Sequence, residues 1–117
     1  MNERLRIAVP TEGTRGMKDE VSNIFAKAPA FTFIDIKDGK VESVKVEENS
    51  ASALSQGVGP VVMNNMKDRG VDIVVAGQVG PGARTLMNMS GIRMVKVKKG
   101  TIVSEAVNQA LREMVTA

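Results

Sequence analysis

Residues 71–83 read VDIVVAGQVGPGA. Ile73, Val74, Val75 and Ala76 form a short, unbroken apolar run, the pattern of a strand covered on both faces as in a parallel sheet. Gly77, Gly80, Pro81 and Gly82 then punctuate a turn that re-enters a helix. This unit sets the class as α/β. It also marks a ligand edge, because open α/β sheets bind ligands beyond the carboxyl ends of their strands.

Working outward, residues 58–69 read as a helix with Val58, Val61, Val62 and Met66 on one face. Pro60 suits its first turn and Gly70 its C′ position. Downstream, residues 83–89 form a short helix with Leu86 and Met87 inward, stopped by Gly91. A last strand over 92–97 follows, and Lys98, Lys99 and Gly100 turn the chain. Thr101 is the expected N-cap of a final helix whose apolar face is Val103, Val107, Ala110, Leu111 and Met114. Before the central unit, residues 5–10 (LRIAVP) make a first strand with Leu5, Ile7 and Val9 on one face, ended by Pro10. Residues 19–27 place Val21, Ile24 and Phe25 at helical spacing and predict a short helix. Residues 31–38 and 41–48 flank an Asp-Gly turn, a hairpin signal, so these two strands are antiparallel. Residues 47–55 (EENSASALS) are small and polar and read as a mobile loop.

The 117 residues suffice for one domain, 1–117, and not for two. A hairpin followed by βαβα units gives a three-layer α/β/α domain. Its five-stranded mixed sheet takes the order 3-2-1-4-5, with strand 2 antiparallel. That is a ribonuclease H-like arrangement.

Composition restricts the chemistry. There is no Cys and no His. Disulfides, thiolate zinc sites, cysteine nucleophiles and histidine triads are excluded. With three Phe and neither Trp nor Tyr, the core is expected to be Val, Ile, Leu and Met, and the eight Met to be core fillers. The net charge of +3 is too mild for a nucleic-acid partner. Lys96, Lys98 and Lys99, the one dense basic group, read as a solvated strand end. No apolar run reaches membrane-spanning length and no signal-peptide core opens the chain, so a cytoplasmic protein is expected.

In this strand order, strands 1 and 4 are parallel neighbours from which the chain moves outward in opposite directions. The crevice at their carboxyl ends is the topological switch point. Two glycine-rich loops are expected to meet there, residues 11–16 and 77–82. Gly80 and Gly82 let backbone amides approach a ligand, and the following helix adds unpaired N–H groups and a positive dipole end. Arg15 and Arg84 add charge. The result is an anion-tolerant pocket. Its spacing, G-x-x-G-x-G, is neither a dinucleotide fingerprint nor a P-loop. A metal-dependent nuclease is excluded, since strand 1 holds no acid and Asp72 lies at the wrong edge.

At this point the chain resembles the dinitrogenase iron–molybdenum cofactor biosynthesis family, the NifX-like domains found also at the C-terminus of NifB and in NafY-type proteins. The resemblance spans essentially the full length. It is carried by RIAVP, VSNIFAKAPAFTFIDI, EENSAS, the GVGP helix start and GVDIVVAGQVGPGA. It implies a ribonuclease H-like fold and a carrier rather than an enzyme. The implied ligand is the iron–molybdenum cofactor or its iron–sulfur precursor, passed between assembly proteins. The family's histidine before Phe is Asn23 here, its Gly-Arg is Ala26-Lys27, and a second histidine position falls near Ser55 and Gln56. Without imidazole or thiolate, a cluster would be held by amides and cations. The candidate ligand-binding residues are Thr11, Gly13, Arg15, Asn23, Lys27, Gly77, Gln78, Gly80, Gly82 and Arg84, with no metal-ligating residue. Met17 lies at the same edge and is expected to pack. Two readings follow. One is a non-enzymatic carrier of an anionic metallocluster or other anionic small ligand, monomeric or dimeric, with an assembly-protein partner. The other is a protein-interaction or regulatory module that keeps the fold and has lost the cluster.

Overall fold

The structure, a computed structural model, describes residues 4–54 and 57–116, the last three of these in backbone only. Ser55, Gln56 and the Met114 side chain, all read in the sequence, lie outside this description. The described elements are β1 (Arg4–Thr11), β2 (Ala30–Lys37), β3 (Lys40–Glu48), α1 (Val58–Asp68), β4 (Ile73–Ala76), α2 (Pro81–Ser90), β5 (Arg93–Lys96) and α3 (Val103–Thr116). The sheet order is β3-β2-β1-β4-β5. β2 is antiparallel to both β1 and β3, while β4 is parallel to β1 and β5. This is the expected mixed sheet.

Alternation along the strands sends side chains to two layers. Ala8, Phe33, Val74 and Ala76 meet Val62, Met66 and Met87 of α1 and α2 on one face. Ile7, Val9, Ile34, Ile73 and Val75 meet Val103, Ala106, Val107 and Ala110 of α3 on the other. The core differs from expectation in one respect. No leucine is fully buried, and all three Phe lie in the α1/α2 layer. Phe25 meets Phe31 edge-on, with ring centroids 5.5 Å apart.

The hairpin turn is Asp38-Gly39, with φ of 52° and 80°. Positive φ at both central residues matches the right-handed twist of the flanking strands. A Cβ at Gly39 would meet nothing within 4 Å, so a substitution there costs conformational energy alone. Gly39→Ala is expected to lower stability by about 1 kcal/mol. A thermal melt should show a fall in Tm of roughly 3–6 °C.

Several sequence expectations are corrected. Pro10 does not end β1, which continues to Thr11; it is buried, pairs with Phe31, and its carbonyl accepts from the Ser22 amide at 2.8 Å. Residues 19–27 form no helix. A short 3-10 turn at Gly16–Lys18 precedes an extended stretch that pairs Thr11 with Val21 and Glu20 with Ile102. In α1 the inward residue is Met63 rather than Val61, which is 41% exposed. α2 begins at Pro81, so Gly82 belongs to its first turn. Thr101 does not cap α3; its hydroxyl donates to the Lys98 carbonyl at 2.6 Å. The first α3 amide, Val103 N–H, instead donates to the Asp19 carbonyl at 2.9 Å. The 47–55 segment is no free loop over its described part. It holds a 3-10 turn at Ser50–Ala53, pinned by buried Asn49.

Candidate functional site

β1 and β4 pair only at Ile7–Ile73 and Ala8–Val74. Beyond these pairs the strands part, and residues 22–24 fill the fork. Ser22 N–H donates to the Pro10 carbonyl at 2.8 Å, and Gln78 N–H donates to the Asn23 carbonyl at 3.1 Å. Ile24 forms a parallel bridge with Gln78. A Cβ on buried Gly77 would already stand 3.4 Å from both Asn23 Cα and Oδ1. The expected switch-point crevice is therefore closed by the chain itself, and the open ground lies to the α2 side of the fork.

There Gly77, Gln78, Gly80 and Arg84 line one cleft of about 320 Å³, together with Met94 and Lys96 of β5. Gly80 occupies the N-cap position and has no side chain to cap the helix. Pro81 at N1 has no N–H, so helix geometry leaves the Gly82 and Ala83 amides without a carbonyl in the helix. Neither Gly80 nor Gly82 has a positive φ, and a Cβ on either would meet nothing within 4 Å. Backbone strain and crowding do not require these glycines. Gly80 leaves bare backbone in the cleft beside the positive end of α2 and two cations, Arg84 and Lys96, whereas Gly82 is exposed in the first turn of α2 outside the cleft lining.

The other candidates stand elsewhere. Thr11 is fully buried; its hydroxyl donates to the Gly13 carbonyl at 2.9 Å and lies 3.5 Å from the Thr32 hydroxyl. Gly13 lines a separate cleft of about 370 Å³ with Thr14, Pro29 and Asn49. The Arg15 guanidinium reaches Asp19 at 3.1 Å and Glu20 at 3.8 Å, so its charge is already matched. Lys27 is exposed in the turn after buried Phe25. Asn23 adjoins the cleft through Gly77. Met17 packs against the α3-side core.

Sequence reading passed over Lys96 and Met94 as cleft residues. The signal was available, since β5 is parallel to β4 and its carboxyl end must reach the same edge of the sheet. Met94 also packs on the α1/α2 core, so its thioether forms an apolar wall. Among the described residues no group of three or more Asp, Glu, His or Cys is placed to hold a metal ion. The cleft sets backbone amides and two cations beside one thioether, Met94, and it has no thiolate or imidazole to ligate iron.

A model of the family described as Dinitrogenase iron-molybdenum cofactor matches residues 3–113. The fold is similar to the apo form of the orange protein from Desulfovibrio gigas, at TM-score 0.83 and 26% identity, covering 97% of this chain and 92% of that one. It is similar also to a Thermotoga protein provisionally assigned as NifB, at TM-score 0.75 and 30% identity, covering 92% and 88%. In sequence, an uncharacterized protein of Methanocaldococcus jannaschii is 24% identical over 98 residues, 84% of this chain and 79% of that protein.

Proposed function

The chain belongs to the dinitrogenase iron–molybdenum cofactor family, and on that premise we propose that it is a non-enzymatic carrier for an anionic metallocluster. The cargo class is the iron–molybdenum cofactor or an iron–sulfur precursor, taken up and released in the cytoplasm. Gly77, Gln78, Gly80, Arg84 and Lys96 would grip it, with Asn23 and the Gly82 amide at the margin. The observation carrying this reading is the bare backbone at Gly80, which neither strain nor crowding requires, set between the start of α2 and two cations. Kinship with a structure described as an apo form supports it. Amide and guanidinium donors are strongest toward charged acceptors, and a helix N-terminus favours negative charge.

The test is an anaerobic titration with iron–sulfur or iron–molybdenum cluster, then gel filtration with metal analysis of the protein peak. Near-stoichiometric metal is expected. Arg84→Ala and Lys96→Ala should each weaken retention about tenfold, the size of one lost charge-assisted contact. A metal-free peak would leave the second reading, an interaction module without cluster. The absence of every His and Cys favours that reading.

A further inference from the structure

Met94 is the one described methionine that lines the glycine cleft. The sheet sets its place. It pairs with Val74 of β4, which lies in the α1/α2 layer, so alternation puts Met94 and Lys96 on the face that carries the cleft. The other described methionines have plainer duties. Met63, Met66 and Met87 are buried in the α1/α2 core, Met17 packs in the α3 layer, and Met89 is 78% exposed on α2. Met94 is half-buried: it packs against the core and still borders open space. Strand propensity does not call for it, since β-branched residues suit a strand better, and Val95 and Val97 fill the opposite face.

Among the side chains of the cleft, Arg84 and Lys96 are hydrogen-bond donors with no electron pair for a metal, and Gln78 offers only a hard amide oxygen. Met94 is the one soft donor, and thioethers favour iron–sulfur and copper(I) centres. We propose that Met94 is the side chain that bonds directly to the cargo, its thioether sulfur taking an exchangeable position on a metal at the edge of the cluster. This rests on the carrier reading and adds selectivity to it. Amides and cations hold the charge, while Met94 favours a soft metal. The sulfur lone pair forms one metal bond as a solvent ligand leaves, and no electron or proton moves. A thiol must lose its proton to ligate, whereas a thioether has none to lose. The bond is that of a neutral donor, which suits a cargo that must later be released.

The test uses the full chain with methyl-labelled methionine, the Met94 signal being assigned by its loss in Met94→Leu. The probe is a synthetic iron–sulfur cluster with exchangeable solvent ligands, added without oxygen. We expect the Met94 methyl to take a large through-bond hyperfine shift, while the methyls of Met63, Met66 and Met87 move far less. Met94→Leu keeps volume and apolar contact, so the fold should hold. Its amides and cations remain, and it should retain the cluster about tenfold more weakly than wild type. Should Met94→Leu fail a thermal melt, Met94→Ile supplies the assignment and the wild-type shift decides. Full retention by Met94→Leu, or a Met94 shift no larger than that of Met87, overturns the proposal and leaves the carrier reading standing. An equal shift at exposed Met89 marks unselective thioether binding and overturns it too. A folded wild type that retains no metal overturns both.

Discussion

Asp19→Ala is expected to lower the unfolding free energy by about 3 kcal/mol. The Asp19 carboxylate is fully buried and accepts from the Arg15 amide at 2.9 Å, the Glu20 amide at 2.8 Å and the Arg15 guanidinium at 3.1 Å. Alanine leaves two backbone donors without a partner and frees a paired guanidinium. It also loosens the seat of Gly13, whose Cβ position is 3.1 Å from Asp19 Oδ2. Asp19→Asn keeps the volume but turns one acceptor into a donor facing donors, and should lose about 2 kcal/mol at neutral pH. Burial alone raises the Asp19 pKa, but the two amides and Arg15 outweigh it and hold the carboxyl below its ordinary 3.8. A depressed pKa stabilises the fold fully above the unfolded-state value, and that contribution fades as pH falls through the folded-state value. Urea titrations should therefore show the gap between Asp19→Asn and wild type narrowing below about pH 4. Asp35, held low by Arg6, and Glu47, held low by Arg69, carry the same sign and are lost in the same acid range.

Asn49→Ala is expected to cost about 2 kcal/mol. Its buried side-chain amide donates to the carbonyls of Ala26 at 2.8 Å and Ala28 at 2.9 Å, and its oxygen accepts from the Ala51 amide at 3.2 Å. One side chain thus joins the end of the 19–28 segment to the turn that leads into α1. Alanine takes the partner from one buried carbonyl, one half-buried carbonyl and one buried amide, and no apolar packing replaces them. Chemical denaturation should show a lowered midpoint with an unchanged m-value, because the surface exposed on unfolding stays the same. Asn49→Asp separates hydrogen bonding from shape. It keeps the acceptor for Ala51 but sets a carboxylate oxygen against two carbonyls, and should be at least as destabilising.

The sheet was legible because its signals are local. An apolar run of four residues in β4 and an Asp-Gly turn between strand-like runs have few other solutions. The 19–27 stretch misled for a physical reason. Val21, Ile24 and Phe25 fit one face of a helix, but Val21 is buried in the α3 layer and Phe25 in the α1/α2 layer, with Ile24 56% exposed between them. The segment passes from one side of the sheet to the other through the fork. Its backbone groups pair with Thr11, Ile102 and Gln78, partners far away in sequence. No local periodicity encodes such partners. At the candidate site, the glycine turn was visible as punctuation, whereas the closure of the fork by Asn23 and the arrival of Lys96 required the register. Arg15 looked like a ligand for want of its partner, Asp19, which the helical reading had placed on a different element.

The fork bears on cooperativity. β1 to β3 are contiguous over residues 4–48, β4 and β5 lie within 73–96, and the two halves of the sheet are paired at only two positions. α3 lies across that seam, packing Ile7 and Ile34 on one side and Ile73 and Val95 on the other. It acts as a clasp. The α1/α2 layer crosses the same seam, joining Ala8 and Phe33 to Val74 and Ala76, and hydrogen exchange is expected to find the two-pair seam opening at lower free energy than the β1–β2 ladder. The glycine cleft is lined entirely from the β4–β5 half, so a group held there travels with that half and does not by itself bias the seam.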